Sequence, residues 1–194
     1  MPGKTAKFFV VASWYSPEFE GKPTSSGEAY DKDALTCSHK NYPFGTRLKI
    51  TNTRNNKSVE CLVNDRGPFV KSRDIDLSYA AAAKIDLLEY GQAPVTIEEL
   101  GRDVSYIKPV TVQPGLHKGP LAIQIGSFSD AANATRLKKA LEYSHANVYV
   151  REVIINNATF YRVRIGDYIA LADAKNVAEK LGQEGYAALI LKAD

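Results

Sequence analysis

Along the first half of the chain, apolar positions come in short runs that alternate with polar ones and are separated by clusters of turn residues. Phe44-Gly45-Thr46-Arg47-Leu48-Lys49-Ile50-Thr51-Asn52 and Ser58-Val59-Glu60-Cys61-Leu62-Val63-Asn64 both alternate at period two, the spacing of a half-buried strand. Between them, Thr53-Arg54-Asn55-Asn56-Lys57 has the Asn-rich make-up of a hairpin loop. Phe8-Phe9-Val10-Val11-Ala12 is too short for a signal core and runs straight into Trp14-Tyr15, so it reads as the first strand. Ser78 to Ile85 is alanine-rich, and Asp74 and Asp76 ahead of it favour a helix start. Residues 1–100 are therefore expected to form a mainly β domain with one or two short helices.

Residues 101–119 contain Pro109, Pro114 and Gly115 without helical periodicity and read as a linker. From residue 120 the pattern repeats itself with a shift of forty positions. Ile125-Gly126 returns as Ile165-Gly166, Ala134 as Ala174, Leu137 as Val177 and Leu141 as Leu181. Each half reads strand, helix, strand, which predicts a ferredoxin-like βαββαβ domain over 120–194, a four-stranded antiparallel sheet with two helices on one face. Alternation along the strands puts Gln124, Phe160, Arg162 and Arg164 on the uncovered face, available to a ligand, and Ser127 is a further candidate contact.

Composition narrows the picture. The 194 residues are 44% hydrophobic, enough to fill compact cores, and the net charge of +3 comes from 25 basic against 22 acidic residues with no basic tail. Bulk attraction to nucleic acid is not implied. No apolar run reaches the roughly 18 residues needed to span a bilayer. No cluster of Cys, His and carboxylates has metal-ligand spacing and no glycine-rich phosphate loop occurs, so neither a metal nor another cofactor is expected.

The chemistry concentrates in four segments. Asn64-Asp65-Arg66-Gly67-Pro68-Phe69 sets an acid at the end of an apolar strand and stops that strand with a Gly-Pro turn. Thr24-Ser25-Ser26-Gly27-Glu28, Ala34-Leu35-Thr36-Cys37-Ser38-His39-Lys40 and Asp74-Ile75-Asp76-Leu77-Ser78-Tyr79 add further proton-handling groups. Together, in this order, these segments resemble the double-psi β-barrel of the rare lipoprotein A family, bacterial septal lytic transglycosylases. The likeness runs from Ala12-Ser13-Trp14-Tyr15 to Val95-Thr96-Ile97-Glu98. Ala122 to Phe128, with Tyr161 to Gly166, resembles the sporulation-related repeat (SPOR) domain, a family that binds peptidoglycan strands stripped of stem peptides.

The resemblance implies a six-stranded double-psi β-barrel followed by the SPOR domain, and a glycosidic cleavage in which the C6 hydroxyl of muramic acid attacks and a 1,6-anhydro end is left. One acid/base carboxyl then suffices. It singles out Asp65, Glu28 and His39 as catalytic, with Asp65 the preferred acid and Asp76 its rival. Asp76 corresponds to an acidic position in expansins, yet its place before a helix gives capping a strong claim. Arg66 would orient the Asp65 carboxyl or pair with it. Thr24, Trp14 and Tyr15 are candidate substrate contacts, the two aromatics as a sugar-stacking wall.

Cys37 and Cys61 read either as two small buried hydrophobes or, in an oxidising periplasm, as a disulfide tying two barrel strands. Further expectations follow from the family: a monomer in the cell envelope, periplasmic or anchored to the outer membrane, enriched at the division septum and bound to denuded glycan. Met1-Pro2-Gly3 reads as an artificial start, with any contact with a membrane made through a removed leader or lipid anchor. The competing functional reading is a non-catalytic, expansin-like wall-binding protein. An RNA-binding sheet is disfavoured because the strands lack the aromatic-rich signature of RNA recognition.

Overall fold

The structure is a computed structural model that describes residues 8–193; Met1-Pro2-Gly3 lies outside the described residues. Six strands make up the first unit: β1 (Phe8–Trp14), β2 (Thr36–His39), β3 (Thr46–Asn52), β4 (Ser58–Asp65), β5 (Ile75–Leu77) and β6 (Ala93–Arg102). They close into a barrel in the order β1-β5-β2-β4-β3-β6, with β1 and β6 completing the ring. The pairs β1/β5 and β2/β4 are parallel and the others antiparallel, the crossed connectivity expected of a double-psi barrel.

Alternation sends Ala12, Cys37, Leu48, Ile50, Val63, Ile75, Leu77 and Val95 inward, each wholly buried. Burying a Leu, Ile or Val side chain contributes roughly 1.5–3 kcal/mol, which makes these positions the source of barrel stability. Cys37 and Cys61 are among the buried residues, and both are free thiols in this structure. Cys37 pairs with Val63, leaving Cys61 offset by two positions on β4.

The short helix α1 (Tyr79–Lys84) follows β5. Its N-cap is Ser78, whose hydroxyl accepts from the Ala81 N–H at 3.2 Å and donates to the Ala34 carbonyl at 2.6 Å. The capping role that competed with a catalytic one for Asp76 therefore falls to Ser78, and Asp76 is the central residue of β5.

A second unit begins at Tyr106. It comprises β7 (Val110–Val112), β8 (Lys118–Phe128), α2 (Ala131–Glu142), β9 (Val148–Ile155), β10 (Ala158–Ala170), α3 (Leu171–Glu184) and β11 (Ala188–Lys192). The sheet order β7-β11-β8-β10-β9 contains the expected four antiparallel strands plus one more. Ala134 and Leu141 of α2, and their repeat equivalents Ala174 and Leu181 of α3, are buried.

The added strand corrects the reading of 101–119 as a linker. β6 already runs to Arg102, and β7 pairs in parallel with β11, Val110 opposite Ala188. What holds it is a close approach at Gly182 of α3. Lys108 N–H donates to the Gly182 carbonyl at 3.0 Å, and a Cβ at Gly182 would stand 2.4 Å from the Lys108 carbonyl oxygen. Three strand residues between Pro109 and Pro114 are too few to show a period in the sequence.

In β10, Arg164 lies opposite Gln124 and Tyr149, and Arg162 opposite Ser127 and Arg151. Gly126, between Gln124 and Ser127 on β8, faces Leu137 of α2, so Gln124, Ser127, Arg162 and Arg164 share the face turned from the helices. Phe160, two residues before Arg162, takes the same face opposite Val153. Arg164 departs from expectation in one respect: it is only 2% exposed, so its guanidinium is not spread over the sheet surface as Arg162's half-buried side chain is. Among the described residues no helix is long and apolar enough to cross a membrane.

Candidate active site

Strand β4 ends at Asp65, where Gly67 adopts φ +123° and Pro68 supplies no N–H to continue the ladder. Just before this end the β2/β4 register shifts: Cys37 pairs with Val63, but Ser38 pairs with Asp65. Asn64 is thus the extra residue of a bulge, a device that re-aims the side chain beside it. Ser38 also pairs with Asp76 across β5, and Asp76 with Ser13 across β1. Ser13, Asp76, Ser38 and Asp65 therefore form one row over four strands.

The two carboxylates in that row have different surroundings. Asp65 accepts the Tyr15 hydroxyl on Oδ2 and the backbone N–H groups of Ser25 and Arg66 on Oδ1, each at 2.8 Å. Tyr15 is braced against Tyr30 and Phe19, with ring centroids 4.9 and 6.0 Å away. Burial first, and the Asp65 charge second, push its phenol well above the ordinary value, so it remains a donor. This places the Tyr15 hydroxyl in the support of Asp65.

Asp76 is 8% exposed. Its Oδ2 lies 3.6 Å from Arg73 Nη2, and its Oδ1 is buried with no hydrogen-bond partner among the described residues. Burial pushes this carboxyl up to about 6; the Arg73 charge opposes the shift, Asp65 adds to it and Lys40 opposes it more weakly. Between the two acids the Ser38 hydroxyl is buried beside the Tyr15 phenol.

The loop over the end of β4 carries the other candidates. Ser26 N–H donates to the Asn64 carbonyl at 3.2 Å, and the Asn64 side chain donates to Glu28 Oε2 at 2.9 Å, which brings the exposed Glu28 beside the Asp65 strand end. Thr24 spends its hydroxyl within the loop, donating to the Glu28 carbonyl at 3.0 Å. Arg66 orients Asp65 through its backbone N–H; its guanidinium donates to the Tyr42 carbonyl at 2.9 Å and lies 3.9 Å from the Phe44 ring centroid.

His39 alternates away from Ser38 and is not part of the row. Its Nδ1 accepts the N–H groups of Asn41 and Tyr42 at 3.1 and 3.2 Å, its ring rests on Tyr42, and with Val10 and Ile97 it lines a cavity of about 490 Å³. Burial, with Arg66 and Lys40 nearby, lowers it to about 4, so it is a neutral imidazole carrying its proton on Nε2. Sequence reasoning missed Ser38, Arg73 and the Tyr15 hydroxyl. Only Ser38 left a signal: strand alternation separates it from His39.

Among the described residues no group of three or more His, Cys, Asp or Glu is arranged to hold a metal. The lytic transglycolase family matches residues 8–97, and the SPOR domain family matches residues 118–192. A Vibrio cholerae protein named endolytic peptidoglycan transglycosylase RlpA is 34% identical over 181 residues, covering 93% of this chain and 67% of that protein. The chain belongs to the RlpA family. The RlpA of Helicobacter pylori strain J99 is 33% identical over 91% of this chain and 62% of its own length. The RlpA of Campylobacter jejuni is 55% identical over 91 residues, 47% of this chain and 33% of that protein. The chain thus spans between a third and two thirds of the length of these curated RlpA relatives.

Proposed function

We propose that this chain is a peptidoglycan lytic transglycosylase that cleaves the MurNAc-GlcNAc bond of strands stripped of their stem peptides and leaves 1,6-anhydro-MurNAc ends. The observation that carries the reading is the row in which Asp76 and Asp65 flank Ser38, one carboxyl desolvated and the other saturated with donors. Two acids held in contrasting environments are the usual means of dividing acid and anion roles. Asp76 takes the proton-donor role that the motif alone assigned to Asp65. In its neutral form it protonates the departing glycosidic oxygen as the C1–O bond breaks. Asp65 faces the positive charge that develops at C1. The Asp76 carboxylate then removes the proton of the C6 hydroxyl as O6 closes on C1, so no water is consumed.

The SPOR domain adds a second hold on the same polymer. Loss of the stem peptide uncovers the lactyl carboxylate of muramic acid, a partner for the Arg162 guanidinium beside Ser127 and Gln124. Tethering two weak glycan sites raises the effective affinity for denuded wall, which forms where septal amidases act. The reading places the protein in the cell envelope, at the septum. Digestion of amidase-treated sacculi followed by mass spectrometry tests it. Anhydro-ended fragments are expected. Reducing ends would mean hydrolysis, and no release would leave an expansin-like binding protein.

A further inference from the structure

We infer that the surface walled by Trp14 and Tyr90 is a sugar subsite that seats an N-acetylhexosamine ring next to the bond being cleaved. The inference rests on the proposed glycan cleavage and extends it. Ser13, the end of the carboxylate row, is in register with Asp76 and accepts from Arg73 Nη1 at 3.4 Å. At that point a cavity of about 580 Å³ opens, lined by Ser13, Trp14, Ser16, Tyr90, Gly91 and Gln92. Its size falls within the roughly 300–1,000 Å³ of small-ligand sites.

The lining has the chemistry of a pyranose, which offers an apolar C–H face and a rim of hydroxyl and amide groups. Trp14 is fixed by an edge-to-face contact with Tyr79, centroids 5.9 Å apart at 72°. Tyr90 is 57% exposed, and the Arg54 guanidinium stands 5.0 Å from its ring centroid. Arg54 braces one face of Tyr90 by a cation–π contact, leaving the other for a sugar. Ser13, Ser16 and Gln92 supply hydroxyls and an amide for the rim. A large aromatic ring exposed to this degree contributes little to the core, and it lines the same cavity as Ser13, the residue in register with Asp76.

Trp14 is the only tryptophan in the chain, so its emission reports directly on the cavity. The test is a fluorescence titration of the full chain with the β-1,4-linked tetramer of N-acetylglucosamine, repeated in Asp76→Asn, Tyr90→Ala and Tyr90→Phe. A saturable change of emission is expected in the wild type and in Asp76→Asn. Kd should rise about tenfold in Tyr90→Ala and stay within about twofold in Tyr90→Phe, which keeps the ring. A flat wild-type titration, or equal affinity in Tyr90→Ala, overturns the subsite even if sacculi are cleaved. Saturable binding without cleavage of sacculi leaves the subsite standing and removes only the catalytic reading.

Discussion

Asp65 and Asp76 stand on either side of Ser38 in one row of the barrel wall, where a bulge at Asn64 brings Asp65 into line. Without the shift, Ser38 would pair with Asn64 and the Asp65 side chain would turn to the other face, since a strand's side chains alternate. The same row separates a carboxyl with three donors from one with a buried, unpartnered oxygen. Chemistry follows from that contrast more than from either residue alone.

On the proposed mechanism the neutral form of Asp76 is the acid, so cleavage should fade as pH rises. With the carboxyl at about 6, kcat/KM should be level below that value and fall about tenfold per pH unit above it. Arg73 favours the charged form, so Arg73→Met should move the descending limb to higher pH. A pH–rate profile on peptide-stripped glycan checks both, and a limb that Arg73→Met leaves in place contradicts the assignment.

The same shift carries a stability consequence. The folded carboxyl titrates near 6, above its ordinary value, so stability is fully present below about pH 4 and is lost as pH rises through 6. Asp76→Asn removes the buried charge. The variant should be more stable than wild type at pH 8 by on the order of 2 kcal/mol, and the gain should shrink toward zero near pH 4. Urea unfolding at the two pH values measures it.

His39 should be a neutral spectator over the working range. Its Nδ1 holds two backbone N–H groups and it titrates near 4, so its imidazole signals should not move between pH 5.5 and 8 and its proton should reside on Nε2. Nitrogen-15 NMR resolves the tautomer. Titration near the ordinary value of about 6.5 would restore it as an acid/base candidate.

Strand β7 belongs to the SPOR unit. A fragment covering 106–194 should melt several degrees above one covering 120–194, which lacks β7 and the Lys108–Gly182 contact and exposes the edge of β11. Arg162→Ala should weaken glycan binding with little thermal effect, whereas Arg164→Ala, at a buried position, should lower stability by roughly 1–3 kcal/mol. Thermal melts of the two fragments and two variants, with glycan pull-down, make the comparison.

Strands β3 and β4 and the duplicated SPOR pattern were legible because alternation and helical spacing persist over enough residues to show a period. The Asp65 turn was legible for the same reason, since a Gly-Pro stop follows an alternating strand. Asp76 reads as a rival acid with a strong competing claim from helix capping because β5 has three residues, too few to display alternation. The bulge at Asn64 left no trace, since a register shift is a relation between strands that neither strand encodes alone. Arg164 was expected on an open surface because alternation assigns a face without assigning depth.

Peptide-stripped sacculi digested in parallel with wild type, Asp76→Asn and Asp65→Asn, with soluble products counted by mass spectrometry, test the division of roles most directly. Wild type should release 1,6-anhydro-MurNAc fragments. Asp76→Asn should release none while still sedimenting with the sacculi, and Asp65→Asn should retain a residual rate because the proton donor is intact. Full activity in Asp76→Asn together with none in Asp65→Asn would contradict the account and return the acid to Asp65.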